Sequence, residues 1–248
     1  TELKFPLKHV RADLERLVLQ TLGLPAQAVQ HIQVFKRSID ARKAQLLVVY
    51  VVDVALAQMA QEPQLLQQLA GKPHIGPTPD MAYHLPCQAA ADGVADLQWQ
   101  RPVVVGFGPC GIFAALMLAQ MGLKPIVLER GREVRQRTRD TWGLWRKSVL
   151  DPESNVQFGE GGAGTFSDGK LWSQIKDPRY LGRKVMEEFV KAGAPEDILT
   201  EAHPHIGTFK LVKVVENMRA QIIALGGEIR FEQRLIDIAF DEVGADAS

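Results

Sequence analysis

Gly106, Gly108 and Gly111 stand in the run Gly106-Phe107-Gly108-Pro109-Cys110-Gly111, which has the spacing GxGxxG. Three glycines so placed let a backbone do what side chains cannot. The first permits a tight turn off a strand, the second lets the main chain approach a pyrophosphate, and the third lets the following helix pack closely on that strand. The N–H groups that open the helix then face an anion. Glu129 closes the next apolar segment, Ile126-Val127-Leu128, where a carboxylate can accept hydrogen bonds from both hydroxyls of a ribose. In a chain with 21 glycines, three at these offsets arise by chance at a rate of about 0.15. Requiring the apolar triplet Val103-Val104-Val105 in front and an acid at Glu129 lowers that rate to about 0.002, so the dinucleotide reading outweighs a plain glycine turn.

Other residues carry weaker signals. A second glycine-rich run, Gly159 to Gly169, is flanked by Phe158, Phe166 and Leu171, apolar anchors that a mere linker lacks. Its N–H groups can line an anion. His203 and His205 share a face of an extended segment, but two histidines without a third ligand make a poor metal site, and no metal is expected. Arg132, Arg135, Arg137 and Arg139 are read as a solvated helix face rather than a phosphate site. Lys36, Arg37, Arg42 and Lys43 form a basic patch without interleaved stacking aromatics, a poor RNA-binding pattern. Cys87 and Cys110 make at most one bridge, too few for a disulfide framework or a zinc site. No side chain stands out as a catalytic acid or base.

The elements that must position these residues follow from periodicity. Leu3 to Val10 reads as a strand, and Leu14, Leu17, Val18 and Leu22 have helical spacing, stopped by Gly23 and Pro25. Ile32 to Ile39 and Leu46 to Val54 read as two further strands. Residues 1–90 are therefore expected to be a small β-α-β-β domain, and 91–100, small and polar, a linker. Prolines 63, 73, 77, 79 and 86 break the segment before it. Residues 101–248 open with strand, glycine turn, an apolar helix from Ile112 to Met121 and a second strand, a parallel β-α-β unit. Helices are expected around Leu181 to Phe189 and Leu211 to Leu225, and a strand over Leu235 to Phe240.

Composition bounds the partners. The chain has 248 residues, 46% hydrophobic and 23% charged, with 29 basic and 29 acidic side chains. Zero net charge gives nothing global to draw it to nucleic acid or to an anionic membrane. The most apolar run, Leu46 to Val52, is far shorter than the roughly 20 residues needed to span a bilayer. With two cysteines and no apolar leader at its start, the expected setting is the reducing cytoplasm.

The segment VVVGFGPCGIFAALMLAQMGLKPIVLERG, with its Glu129-Arg130 pair, resembles the opening of FAD-binding domains of the glutathione-reductase type. The runs Gln157 to Leu171, His205 to Thr208, Gly226 to Ile229 and Phe35 to Lys43 are similar to a closer group, the bacterial FAD-dependent or NAD(FAD)-utilising dehydrogenases. That resemblance covers nearly the whole chain. It implies an α/β fold: the small leading domain, then the N-terminal part of a doubly wound Rossmann-type FAD domain. It implies FAD as cofactor, NAD(P)H as co-substrate and a small organic substrate, with hydride transfer between them. The cofactor would be held by Gly106, Gly108, Pro109, Cys110, Gly111, Glu129 and Arg130, and by Gly161, Gly162, Gly164 and Thr165 of the second run. Lys170 would steady charge at the flavin, and Leu235 would lie on the adenine side. Cys110 departs from the alanine usual there and is read as a packing residue. Members of the group are about twice as long, so the chain is expected to be an N-terminal half. The alternatives are an NAD-binding dehydrogenase without flavin, and a non-enzymatic or RNA-linked flavoprotein.

Overall fold

The computed structural model describes residues 2–89 and 101–239, so the expected linker at 91–100 lies outside the described residues. The chain is a mixed α/β protein divided into two compact units.

The first unit holds β1 (Leu3–Pro6), α1 (Arg11–Leu22), β2 (Val29–Asp40), β3 (Leu47–Leu56) and α2 (Glu62–Gln68). β3 is the central strand of an antiparallel sheet of order β1-β3-β2. Leu14 and Val18 of α1 bury against Leu3, Phe5 and Ile32 of the sheet, the outcome expected when a helix stripe and a strand face are both apolar. Gly23, in left-handed conformation with φ +69°, ends α1. The prolines expected to break this segment leave room for α2. Pro63 sits in the first turn of that helix, where no N–H is needed.

Residues 170–190 and 195–205, expected within the second domain, cluster with this first unit. The cause is β-edge pairing. Arg37 N–H donates to Thr200 O at 2.7 Å, Ala202 N–H donates to Arg37 O at 2.9 Å, and the Arg37 guanidinium meets Glu201 at 2.8 Å. α5 (Leu181–Lys191) comes with this segment.

The second unit carries β4 (Val103–Val105), α3 (Pro109–Gln120), β5 (Ile126–Leu128), α4 (Val134–Lys147), α6 (Thr208–Ala224) and β6 (Glu228–Arg230). Its three strands form a parallel sheet of order β4-β5-β6. α3 is apolar almost all round and buries Ile112, Ala115, Leu116 and Ala119, and it packs on α6. The strand expected over Leu235 to Phe240 is not formed in its described part. Residues 235–239 pair with no strand, and Leu235, Ile236 and Ile238 are exposed. The third strand is instead Glu228–Arg230, directly after α6. Among the described residues no helix is long and apolar enough to cross a membrane.

Candidate functional site

β4 ends at Val105, and the chain turns at Gly106, whose N–H donates to Leu128 O of β5 at 2.8 Å. Gly108 is the residue before α3, and Pro109 opens the helix, where its missing N–H costs nothing. Gly111 is required by contact: a Cβ there would overlap the Gly106 carbonyl oxygen. Gly108 differs. A Cβ on it would meet only Gly162 Cα, at the ordinary contact distance of 3.8 Å, so Gly108 has room for a side chain where Gly111 has none. Cys110, expected to be a packing residue, is instead exposed at the second position of the helix, and neither cysteine is in a disulfide.

The structure brings the two glycine runs together. Gly161 N–H donates to Phe107 O at 2.8 Å, and a Cβ on Gly162 would touch Pro109 Cδ at 3.0 Å and Gly108 Cα at 3.3 Å. Gly161 has φ +84°, and a side chain there would also overlap Thr165 Oγ1, so this position of the wall needs glycine. Gly164 is exposed with open space around its Cα, and Thr165 is buried.

Glu129 is only 4% exposed. Its oxygens accept from Phe107 N–H and Gly131 N–H, each at 2.7 Å. The carboxylate therefore fixes the glycine turn from below. A carboxylate has about four lone-pair sites, so acceptor capacity remains on each oxygen. Arg130 does not point its charge freely outward: it pairs with Glu153 at 2.8 Å and stacks over the Phe158 ring at 3.8 Å. Lys170 lies in the first unit, bridged to His205. Leu235 is 38% exposed, on a segment without ladder bonds.

Two residues of this wall carry no mark in residue type alone. Arg137, expected on a solvated helix face, is instead fully buried. It donates from Nε to Asn155 O (2.8 Å), from Nη1 to Glu160 O (2.6 Å) and Gly162 O (2.8 Å), and from Nη2 to Val156 O (2.6 Å). Burial brings its pKa down to about 10, opposed by the charges of Glu129 and Glu160. One guanidinium thus holds the whole wall from 155 to 162. Its signal was spacing: Val134, Arg137 and Thr141 are all buried and share one face of α4.

The second is Glu160, also fully buried. Oε2 accepts the Val134 N–H that opens α4, at 2.7 Å, and lies 3.3 Å from Arg219 Nη1, while Oε1 has no hydrogen-bond partner among the described residues. Burial pushes its carboxyl up from 4.5 to about 7. The folded state therefore holds this proton over a range where the unfolded chain has lost it. Stability from this group is fully present below pH 4.5 and is lost as pH rises to about 7. The loss is at most about 3 kcal/mol. Glu160→Gln keeps an acceptor for Val134 and removes the titration. The stability of the Gln variant relative to wild type should rise by about 1 to 3 kcal/mol between pH 5 and pH 8, measured by urea unfolding. A difference independent of pH would mean that Glu160 is ionised throughout.

The fold and site define an α/β protein with a β-α-β unit whose glycine turn faces a second glycine-rich wall. A family model described as a domain of unknown function (DUF8436) matches residues 1–55. An uncharacterized protein of Clostridium beijerinckii is 42% identical over 232 residues, 92% of this chain and 41% of the relative. The dual trans-enoyl reductase/FAD-dependent monooxygenase tazHJ of Aspergillus terreus is 30% identical over 153 residues, 57% of this chain and 19% of its own length. The chain thus spans well under half the length of the curated relatives it matches.

Proposed function

We propose that the second unit holds the adenine-dinucleotide half of an FAD site in a flavin-dependent oxidoreductase. The observation that carries this reading is the uncrowded Gly108 at a helix N-terminus, beside a second glycine run that one buried arginine fixes in place. A pyrophosphate suits that position, because backbone N–H groups and the helix dipole both favour negative charge there. The likeness to an FAD-dependent monooxygenase supports FAD over other dinucleotides.

In this reading the N–H groups of Cys110 and Gly111 meet the pyrophosphate, and Glu129 accepts the ribose hydroxyls with the capacity left on its oxygens. Gly161, Gly162, Gly164 and Thr165 close the side of the site, and Arg130 and Leu235 flank it. The sheet would be the first part of a doubly wound Rossmann-type domain. When bound, FAD supplies hydride transfer, here between NAD(P)H and an organic substrate; the protein orients the ring and limits water. The cytoplasm would be its setting.

The test is to denature the purified protein and identify the nucleotide released, with an FAD titration of the apoprotein followed by flavin fluorescence. FAD is expected. Release of NAD, or no FAD binding by the folded apoprotein, would overturn the proposal. Glu129→Gln should raise the dissociation constant for FAD about tenfold, since charge-assisted bonds are worth about 1.5 to 3 kcal/mol and about 1.4 kcal/mol is a factor of ten. Unchanged affinity would leave Glu129 only its bonds to the turn.

A further inference from the structure

A groove of about 320 Å³ lies wholly within the first unit, between β2 and the segments 171–186 and 198–204. Its size is at the lower end of the roughly 300 to 1,000 Å³ usual for small-molecule sites. It is independent of the glycine turn and of the FAD reading.

Phe35 and Lys36 both line this groove although they are consecutive in β2. In a regular strand they would point to opposite faces. The register with β3 shifts between Val34 and Lys36, leaving Phe35 without a partner, and a bulge of this kind re-aims a side chain. Phe35 and Lys36 thereby both border one space. The same lining includes Trp172, which is 48% exposed and set edge-on to His203, together with Tyr180 and Met186.

The charges in the groove divide unequally. Asp177 accepts from Leu181 N–H at 3.0 Å and Gly182 N–H at 2.6 Å, at the start of α5. Glu201 pairs with Arg37 at 2.8 Å. Both carboxylates are thus engaged. Arg183 is anchored to Glu187 Oε1 (3.0 Å) and Leu199 O (3.1 Å), while the Lys36 side chain makes no ion pair or hydrogen bond among the described residues. The lining holds three aromatic residues, Phe35, Trp172 and Tyr180, is of small-molecule size, and its uncommitted charge is positive.

We propose that this groove binds a planar aromatic carboxylate, its ring between Phe35 and Trp172 and its acid group on Lys36. Aromatic faces supply contact area at low entropic cost, and the ammonium supplies orientation and selectivity for the acid.

The test uses 2-naphthoate as probe and 2-naphthamide as its uncharged counterpart, followed by amide chemical shifts of the whole protein and by tryptophan fluorescence. Saturable naphthoate binding is expected, with shifts at Phe35, Leu171 to Ser173 and Thr200. Lys36→Met should weaken naphthoate about tenfold or more, the size of one charge-assisted bond, and leave naphthamide nearly unchanged. Phe35→Leu should weaken both probes. Lys36 is exposed, so its replacement leaves the fold intact. No saturable binding, shifts that map elsewhere, or a Lys36→Met variant that binds naphthoate as well as wild type would each overturn the proposal.

Discussion

Gly108→Asp is expected to abolish dinucleotide binding while the chain stays folded. Gly108 has φ −76° and ψ −175°, a conformation any residue adopts, and a Cβ there meets only Gly162 Cα at 3.8 Å. Aspartate is moreover a favoured residue immediately before a helix, so the fold has little reason to suffer. The side chain would set a carboxylate at the N-terminus of α3, taking the place proposed for a phosphate and repelling it. Affinity should fall about 100-fold or more, equivalent to about 2.7 kcal/mol. Gly111→Ala provides the contrast. Its Cβ would overlap the Gly106 carbonyl, so this milder substitution should lower the melting temperature of the protein before binding is even considered. Circular dichroism melts and FAD titrations on the two variants separate these effects. A folded Gly108→Asp variant with wild-type FAD affinity would remove the glycine turn from the site.

Arg137→Ala should cost about 3 to 5 kcal/mol of stability. Each of its four carbonyl partners loses a buried donor, worth about 1 to 3 kcal/mol when nothing replaces it, and water entering the gap recovers part of the sum. The stacked Phe166 ring, 4.8 Å from the guanidinium carbon, loses its cation as well. For a chain of this size the melting temperature should drop by about 6 to 20 °C. Hydrogen exchange should rise first in the segment 155–166. Arg139 is exposed on the same helix, and Arg139→Ala should change stability by less than about 0.5 kcal/mol. Equal effects from the two substitutions would show that Arg137 does not hold the wall.

How legible this was in the sequence differs from element to element. The unit from β4 to β5 could be read because an apolar triplet, a glycine turn and an apolar helix each demand the same local geometry. Glu129 was found from its position, but its bonds to Phe107 and Gly131 were not, since they exist only once the turn folds over the strand end. Leu235, Ile236 and Ile238 alternate in apolar character enough to suggest a strand. A strand needs a neighbour, however, and the neighbour of β5 is the shorter, more polar Glu228–Arg230, chosen by where α6 delivers the chain. Arg137 stands among three other arginines, and only its spacing from Val134 and Thr141, not residue type, marks it as the one on the buried face. The grouping of 170–190 and 195–205 with the first unit was invisible for a related reason: the main-chain bonds to Arg37 leave no mark on residue type.

That grouping has a consequence for the order in which the molecule can be made. Arg37 and Glu201 are 164 residues apart in the chain. At synthesis rates of about 5 to 20 residues per second, roughly 8 to 33 seconds separate their emergence from the ribosome. During that interval β1, β2 and β3 can pair, but the outer edge of β2 has no strand to receive its N–H and C=O groups at Arg37. The glycine-turn unit begins to emerge while the first unit is still waiting for its last segment. A nascent chain of this protein therefore carries an open β-edge from the emergence of β2 until residues 200–202 follow, and a piece cut after residue 55 would carry it permanently, with the tendency to self-association that unpaired edges bring.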